Sequence, residues 1–376
     1  MIVLVYPQLH GVGGISRYIR SFAAAYPADA PPLVILAGNE GEPVEAPANV
    51  TVEFIAMPDN RLGLFRWGAR VRARIKQLAR EHSLTAINLH IPPMIPVMGV
   101  PRVAPIVVTA HTTYLGMSGA FYPTRHFTSD WSAASLAVKR LMERFIFGRA
   151  SSILSLTEQG RQEVARYGYR GPIDILPNGV DLSRFEPSAA SEKSFDVIFA
   201  GRIEKRKGSR PMVEIVRRLA AARPGIRIAV VGYGEDDAFV GAELNGLAPG
   251  VVLTGKLPFD KVAAMFDSSR VYASASYYEG LPGTCIEAMA MQLPAVVWDF
   301  PFYEGLVDDG ITGRRIAPND YDAFVAATLD LIDREEAARQ MGQAGRDVVM
   351  RAYDWRLLSP QIVSVLTSRG RQRQPA

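Results

Sequence analysis

Short apolar runs recur along the chain, and each is followed by a polar or glycine-rich loop and then by a segment with helical spacing. Ile2–Tyr6 and Phe195–Ala200 are apolar at nearly every position, as parallel strands are when both faces of their sheet are covered. Because strands and helices alternate through both halves, the pattern predicts an α/β fold. The other strands are predicted at 33–36, 51–55, 86–89, 105–109, 152–156, 174–176, 226–231, 251–253, 270–276 and 295–298.

The length of 376 residues exceeds what one hydrophobic core usually supports, and a polar stretch at 187–194 separates two alternating series. We therefore predict an amino-terminal domain at 1–182 and a carboxyl-terminal domain at 183–354. Residues 355–376 are predicted to form a helix that packs back on the first domain, followed by a polar tail. The most apolar region, 91–108, is interrupted by prolines, so neither a membrane span nor a signal peptide is predicted.

Composition and charge narrow the class of protein. Hydrophobic content of 48% and charged content of 21% are typical of a soluble globular protein. The single cysteine, Cys285, excludes an intramolecular disulfide and suits a reducing cytosol, and we predict that it is a buried apolar residue. Residues 1–180 carry 18 Lys and Arg against 12 Asp and Glu, a net +6, which leaves 24 against 26, a net −2, for the remainder. The basic half is predicted to meet an anionic partner or surface.

A long basic helix is predicted between Arg61 and Arg80, with Phe65 and Trp67 among its apolar residues. Two interpretations stand: an interfacial helix on an anionic membrane surface, or a solvated surface helix with an ordinary buried face. No recognised binding motif accompanies the charge, so nucleic acid is not a predicted partner.

Residues 277–291, YYEGLPGTCIEAMAM, form the loop and helix between two predicted strands. Ligands of such parallel sheets collect beyond the carboxyl ends of the strands. Glu279 and Glu287 stand at either edge of this loop and first helical turn. Thr284, followed three residues later by Glu287, also fits a capping box, which would make Glu287 a helix start signal instead.

Two more loops follow predicted strands and carry groups that suit an anion. Gly13 and Gly14 lie in a strand-to-helix turn, where backbone N–H groups can approach a phosphate or where a tight turn is simply needed. Arg202 and Lys207 follow the strand that ends at Ala200, and two cations there could clamp a diphosphate. The alternative is a solvated, charged turn.

Histidines follow two neighbouring predicted strands of the first domain. His111 lies just past the strand at 105–109, where α/β folds place their chemistry, and His90 is predicted to lie similarly after the preceding strand. The alternative for either is a hydrogen-bonded structural imidazole. The segment from Tyr114 to Trp131, rich in aromatic and hydroxyl groups, is predicted to form an acceptor-binding loop.

Taken together, these motifs resemble those of the retaining glycosyltransferases of the GT-B fold, in particular glycosyltransferase family 4. The resemblance spans most of the chain and is dense after residue 150. Its parts in chain order are LPNGVD at 176–181, Gly201-Arg202 with Lys207-Gly208, Gly232-Tyr233-Gly234, Gly255-Lys256-Leu257, Glu279 and Glu287 with seven residues between them, and Asp309-Gly310 with Gly313.

The resemblance implies two Rossmann-like, doubly wound domains that face a central cleft, with a nucleotide-sugar donor held mainly against the second. Arg202 and Lys207 would bind the donor diphosphate, and Glu287 would bind the ribose hydroxyls. The implied catalytic residues are Glu279, which faces the donor sugar, and His111, next to the transferred sugar. The other donor-binding residues that it implies are Gly13, Gly14, Gly234, Leu257, Leu281, Pro282, Gly283 and Thr284.

The implied activity is transfer, with retention of configuration, of a hexosyl or N-acetylhexosaminyl unit to a glycan or lipid-linked acceptor in cell-surface polysaccharide or lipopolysaccharide biosynthesis. No cofactor or metal is expected, because cations and a helix amino terminus would stabilise the departing diphosphate. The loop GLPG at 280–283 favours UDP-sugars, with GDP-mannose as the alternative donor. The expected location is the cytoplasm, including the inner face of the cytoplasmic membrane. Other readings are a nucleotide-sugar epimerase or hydrolase of the same fold, and a non-catalytic sugar-nucleotide-binding protein.

Overall fold

The structure is a computed structural model that describes residues 1–10, 13–38, 40–41, 43–60, 62–119, 131–188 and 192–371. These residues divide into two compact units. The amino-terminal unit contains the described residues up to 179 and those from Trp355 onwards, and the carboxyl-terminal unit contains 180–188 and 192–354. The chain enters the second unit at Val180 and leaves it at Asp354, and these two residues form a parallel bridge.

A parallel sheet forms the centre of the amino-terminal unit, with the order β3-β2-β1-β4-β5-β6-β7 among the described residues. Its strands are β1 (Ile2–Tyr6), β2 (Leu33–Ala37), β3 (Val50–Phe54), β4 (Ala86–Ile91), β5 (Ile106–Ala110), β6 (Ser152–Ser155) and β7 (Ile173–Ile175). Its helices before residue 179 are α1 (Gly14–Ala24), α2 (Gly63–Glu81), α3 (Tyr114–Met117), α4 (Ala133–Phe147) and α5 (Glu158–Arg166). The inner strands β1, β2, β4, β5 and β6 are buried at every position, whereas the edge strands are half exposed. This explains why the inner strands are apolar throughout rather than alternating.

The carboxyl-terminal unit repeats this plan with a parallel sheet of order β10-β9-β8-β11-β12-β13. Its strands are β8 (Phe195–Ala200), β9 (Ile228–Val231), β10 (Val251–Gly255), β11 (Ser269–Ser274), β12 (Ala295–Trp298) and β13 (Gly313–Ile316). Its helices are α6 (Ser209–Ala222), α7 (Asp237–Leu244), α8 (Phe259–Asp267), α9 (Gly283–Ala290), α10 (Tyr321–Asp333) and α11 (Glu335–Ala352). Cys285 is fully buried on α9, which confirms its prediction as an apolar core residue.

The last helix, α12 (Trp355–Arg371), belongs to the amino-terminal unit. The Trp355 ring meets the buried Tyr18 ring edge-on, with 5.0 Å between the centroids and 81° between the planes. Aromatic pairs prefer this geometry because the positive edge of one ring faces the negative face of the other. The carboxyl-terminal segment thus shares the hydrophobic core of the first unit.

In each sheet the strand order reverses beside the first strand of that unit, between β1 and β4 and between β8 and β11. Doubly wound sheets bind ligands outside the carboxyl ends of the strands at such a reversal. The predicted fold class, two Rossmann-like doubly wound domains, is therefore confirmed. The cleft between them stays a prediction.

Three details differ from the predicted elements. Residues 313–316 were not among the predicted strands but form β13, because they pair in parallel with all four residues of β12. Strand β4 continues to Ile91, so His90 lies inside the strand, opposite Thr109 of β5, and the prediction that it follows the strand is wrong. The basic helix α2 runs from Gly63, while Arg61 is outside the described residues. In the part of the chain that the structure describes, no helix is long and apolar enough to span a bilayer.

Packing of α11 gives a test of this fold. A Cβ added to Gly342 would lie 1.9 Å from the backbone oxygen of Gln292, whereas one added to Gly241 of α7 would meet only the Asn245 amide nitrogen at 3.4 Å. Gly→Ala ordinarily stabilises a helix interior by about 1 kcal/mol, but a backbone clash costs about 1–3 kcal/mol. We expect Gly342→Ala to lower the free energy of unfolding and Gly241→Ala to raise it, as measured by urea titration. If both substitutions changed the free energy of unfolding in the same direction, this description of the packing of α11 would be wrong.

Candidate functional site

A pocket opens where the strand order of the carboxyl-terminal sheet reverses. Its empty volume, which is open to solvent, is about 430 Å³. The predicted site residues among those that line it are Arg202, Lys207, Glu279 and Thr284. Because β8 and β11 are neighbours, the loops after their carboxyl ends meet here although they are more than 70 residues apart in sequence. The fold therefore brings a cationic loop and an acidic loop to one pocket.

Lys207 and Glu279 form an ion pair at this pocket, with side chains 21% and 6% exposed. Burial lowers the pKa of the Lys207 ammonium, while the attraction of Glu279 opposes this effect. A hydrogen-bond chain holds the other carboxylate oxygen: Ser276 Oγ donates to Glu279 Oε1 over 2.9 Å. Ser274 Oγ donates to Ser276 Oγ over 3.3 Å, and the Tyr303 hydroxyl donates to Ser274 Oγ over 3.0 Å. Glu279 is therefore fixed from both sides.

Arg206 joins the two loops, and the sequence did not identify it. Its Nη1 donates to the carbonyl of Tyr278 over 2.9 Å, and its own carbonyl accepts from the N–H of Tyr277 over 3.0 Å. Its guanidinium also pairs with Glu204, which binds Arg202 over 3.0 Å. In the sequence RIEKRK at 202–207, spacing alone does not distinguish a cation that holds a loop in place from one that binds a ligand. Arg202, 56% exposed at its side chain, is the more accessible of the two arginines.

The amino ends of two helices lie beside these groups. Helix α6 begins at Ser209 and α9 at Gly283, and neither has a side-chain cap. Gly208, just before α6, has φ of 76°, and a Cβ there would lie 1.9 Å from the Ala275 oxygen at the end of β11. A glycine is therefore required for the two loops to pack. Helix amino ends present free N–H groups and partial positive charge, which suit an anion.

The capping-box interpretation of Glu287 is wrong. Helix α9 begins at Gly283 with Pro282 in the cap position, so Thr284 is already inside the helix. The Thr284 hydroxyl lies 3.0 Å from the hydroxyl of Tyr272 and does not cap the helix. Glu287 lies one turn into α9 and is 6% exposed. A buried carboxylate at that position is not explained by the start of the helix.

The other predicted donor-binding residues of the carboxyl-terminal unit lie along the same edge of its sheet. Leu281, Pro282 and Gly283 lead into α9, Gly234 follows β9, and half-buried Leu257 follows β10. Because β9 lies between β8 and β10, Leu257 is displaced from the reversal by two strand spacings, about 10 Å. The candidates thus form a row along the edge rather than one cluster.

His111 lies in the amino-terminal unit, directly after β5, and His90 packs beside it. His90 Nδ1 and His111 Nε2 are 2.8 Å apart, and the residues are 1% and 7% exposed. Burial lowers the pKa of His111 to about 3, and burial together with His111 lowers the pKa of His90 well below its ordinary value. Both rings are therefore neutral at neutral pH. The structure shows a coupled pair where the sequence suggested separate histidines.

Gly13 and Gly14 lie at the start of α1, and a Cβ on either would meet nothing within 4 Å. The residues that the structure describes therefore leave space beside both glycines. Gly11 and Val12 of the same turn are outside the described residues. So are residues 120–130, which make up most of the predicted acceptor-binding loop.

The loop after His111 rests on buried carboxyl groups that were not anticipated. The backbone N–H of Tyr114 donates to Glu143 Oε1 over 2.9 Å, and the Tyr167 hydroxyl also donates to Glu143. Thr113 Oγ1 donates to Glu163 over 2.5 Å. Burial, together with the charge of Glu163, raises the pKa of Glu143 to about 7. Little in the sequence indicated that Glu143 is buried, because an isolated Glu on a basic helix resembles a surface residue.

This raised pKa predicts a pH-dependent stability. The folded-state pKa of about 7 lies above the ordinary value of 4.5, so the favourable contribution of Glu143 is complete below pH 4.5 and is lost as the pH rises towards 7. A shift of this size corresponds to about 3 kcal/mol. We expect the unfolding free energy of the wild type, relative to Glu143→Gln, to fall by up to about 3 kcal/mol between pH 5 and pH 8 in urea titrations. Parallel pH dependence of the two proteins would contradict this assignment.

In the described ranges, no group of three His, Cys, Asp or Glu side chains is arranged to hold a metal ion. The prediction of a metal-independent reaction remains a prediction.

Two family descriptions match the chain. Residues 12–184 match Glycosyltransferase Family 4, and residues 183–348 match Glycosyl transferases group 1. The two matches are adjacent and together cover both units except for the ends of the chain.

Individual proteins agree with these matches. The chain is similar to a glycogen synthase of Mycobacterium tuberculosis, with 23% identity over 100% of this chain and 96% of the relative. A GDP-mannose-dependent monoacylated alpha-(1-6)-phosphatidylinositol monomannoside mannosyltransferase of Corynebacterium glutamicum is 22% identical over 96% of each chain. The solved structure of Anabaena HepE in complex with UDP and glucose superposes with a TM-score of 0.77 at 17% identity, over 98% of this chain and 99% of HepE. The chain therefore belongs to the family 4 glycosyltransferases, which have the GT-B fold.

Proposed function

We propose that this protein is a retaining, metal-independent transferase that moves a hexosyl or N-acetylhexosaminyl unit from a nucleotide sugar to a glycan or lipid-linked acceptor in cell-surface polysaccharide biosynthesis. The observation that carries the proposal is the ion pair between half-buried Lys207 and buried Glu279 at the pocket where the strand order reverses. We favour a UDP-sugar as the donor, and the UDP and glucose bound by HepE support this preference. GDP-mannose, used by the Corynebacterium relative, is the alternative.

The chemistry of the pocket fits the departure of a diphosphate. When a glycosyl–phosphate bond breaks, negative charge develops on the phosphate oxygens. The Lys207 ammonium, the Arg202 guanidinium and the positive end of the α9 dipole would stabilise this charge. Fixed protein charges would then take the part that a divalent cation has in other phosphate chemistry.

The row of residues along the sheet edge matches the extended shape of a nucleotide sugar. Glu287 would accept hydrogen bonds from the ribose hydroxyls, and Leu257 with Gly234 would border the base. Glu279, held by Ser276, would face the donor sugar. His111 of the amino-terminal unit is assigned the place next to the transferred sugar that the family resemblance implies.

Product analysis tests the proposal against its alternatives. The protein is incubated with UDP-glucose, UDP-N-acetylglucosamine or GDP-mannose, with and without a mixture of glycan and lipid-linked acceptors. Acceptor-dependent release of the nucleoside diphosphate, with an α-linked product, is the expected result. Rapid free-sugar release or epimer formation without acceptor indicates a hydrolase or epimerase, and binding without turnover indicates a non-catalytic protein.

Membrane attachment is a separate part of the proposal and rests on helix α2. Leu62, just before the helix, and Phe65 in its first turn are 54% and 57% exposed, and Arg66 and Arg70 follow on the same helix. Flotation with anionic vesicles should recover the protein at low salt and lose it at high salt, because attraction to a charged surface is screened. No recovery at low salt removes this part of the proposal.

A further inference from the structure

A chain of hydrogen bonds runs through the interior of the amino-terminal unit and ends at His111. Asn88 Nδ2 donates to the carbonyl of Val107 over 3.1 Å and to Thr109 Oγ1 over 2.9 Å. Asn88 Oδ1 lies 2.8 Å from His90 Nε2, and His90 Nδ1 lies 2.8 Å from His111 Nε2. Alternate residues of β4 and β5 carry these groups to the same face of the sheet, since side chains of a strand alternate.

The direction of every hydrogen bond in this chain is determined by the Val107 carbonyl. A carbonyl only accepts, so the NH₂ of Asn88 must face it and the Asn88 oxygen must face His90. His90 therefore carries its proton on Nε2, and its Nδ1 accepts. The proton between the two rings then belongs to His111 Nε2, which leaves His111 Nδ1 with a lone pair.

We propose that Asn88 and His90 are positioning residues that hold His111 as the tautomer protonated on Nε2, so that His111 Nδ1 accepts a hydrogen bond from a hydroxyl group of the transferred sugar. This inference rests on the proposed function, which places His111 next to that sugar. In this arrangement His111 meets the sugar as a neutral hydrogen-bond acceptor and not as a cationic donor.

The surroundings of the pair support this arrangement. The Tyr18 ring packs edge-on against His111, with 4.9 Å between the centroids and 88° between the planes, and it also contacts His90 at 5.3 Å. Both rings are thus held in orientation as well as in protonation. Burial keeps the pKa of both imidazoles low, so that neither becomes a donor at both nitrogens at neutral pH. Among the described residues no hydrogen bond to His111 Nδ1 occupies the acceptor.

Histidine ¹⁵N spectra of the full-length protein report the tautomer directly. In the wild type we expect an unprotonated Nδ1 and a protonated Nε2 for His111, assigned by comparison with the His111→Gln spectrum. His90→Leu removes the acceptor and should give a mixture of tautomers. His90→Gln retains an acceptor oxygen for His111 and a donor NH₂ for Asn88, and it should preserve the wild-type pattern. His82→Gln, an exposed histidine at the end of α2, is the matched control.

Turnover of UDP-glucose, measured as UDP release, provides the functional readout. We expect His90→Leu to lower kcat about 10- to 100-fold with little change in KM, the size typical of residues that orient an imidazole. His90→Gln should restore kcat to within about threefold of the wild type. Thermal unfolding of both variants checks that they are folded. Asn88→Ala interrupts the same series of hydrogen bonds at a second position.

The outcomes separate this inference from the proposed function. A His111 protonated on Nδ1 in the wild type overturns the inference, as does a His90→Leu enzyme with unchanged kcat. A His90→Gln enzyme as slow as His90→Leu, with the wild-type tautomer intact, also overturns it. If the expected tautomer is present but no UDP- or GDP-sugar is turned over by the wild type, the proposed function fails, and the sugar contact fails with it.

Discussion

Replacing Lys207 by Ala should lower the rate of acceptor-dependent UDP release about 10²- to 10³-fold. This is the size found when one preorganised donor to a developing negative charge is removed. Lys207 lines the pocket, pairs with Glu279 and lies two residues before the uncapped start of α6. Steady-state kinetics with UDP-glucose and an accepted acceptor measure the effect. The matched control is Lys205→Ala, a neighbouring lysine of the same turn that does not line the pocket.

The ion pair complicates this experiment, because Lys207→Ala leaves Glu279 buried without its cation. Breaking a buried pair costs about 3–5 kcal/mol of stability, so a loss of activity could reflect unfolding. The double variant Lys207→Met with Glu279→Gln removes both charges and should recover most of that stability. We expect it to remain inactive. An active double variant, or full activity of Lys207→Ala, would show that the ion pair is only structural.

Replacing Glu287 by Ala should weaken UDP binding about 10- to 100-fold. Hydrogen bonds to a charged group are worth about 1.5–3 kcal/mol each, and UDP retains the ribose that Glu287 is proposed to bind. Calorimetric titration with UDP measures the affinity, and at a fixed UDP concentration the weaker binding should also reduce the rise in melting temperature that UDP gives the wild type. Glu287→Gln, which keeps the shape and one acceptor oxygen, should lose less affinity than Glu287→Ala.

The control for this prediction is Glu336→Ala, an exposed glutamate on α11 in the same unit. It should leave the UDP affinity unchanged. If Glu287→Ala binds UDP as tightly as the wild type while losing transfer, the carboxylate acts at the sugar or at the reaction step and not at the ribose. Unchanged binding and unchanged transfer would remove Glu287 from the site.

Periodicity and motifs in the sequence were sufficient for the fold class and for four of the residues that line the carboxyl-terminal pocket. Buried parallel strands are apolar throughout, so their number and order of appearance are local properties that can be recognised one segment at a time. In such sheets, ligand-binding side chains lie in the loops after the strands. Arg202, Lys207, Glu279 and Thr284 could therefore be predicted as site residues before the structure showed that they line one pocket. Strand β13 was missed because four residues of mixed polarity carry no period.

Contacts between distant segments were decided by the tertiary structure alone. Arg206 resembled its basic neighbours until its bonds to the loop after β11 distinguished it, and Glu143 resembled a surface residue of a basic helix until its burial was known. Likewise, His90 and His111 were each an isolated histidine in the sequence. Only the register of β4 on β5 places them 2.8 Å apart with Asn88 behind them. The local sequence pattern determines which secondary structure a segment can form. Protonation, pairing and burial of side chains depend on which segments become neighbours, and this is determined only when the sheet assembles.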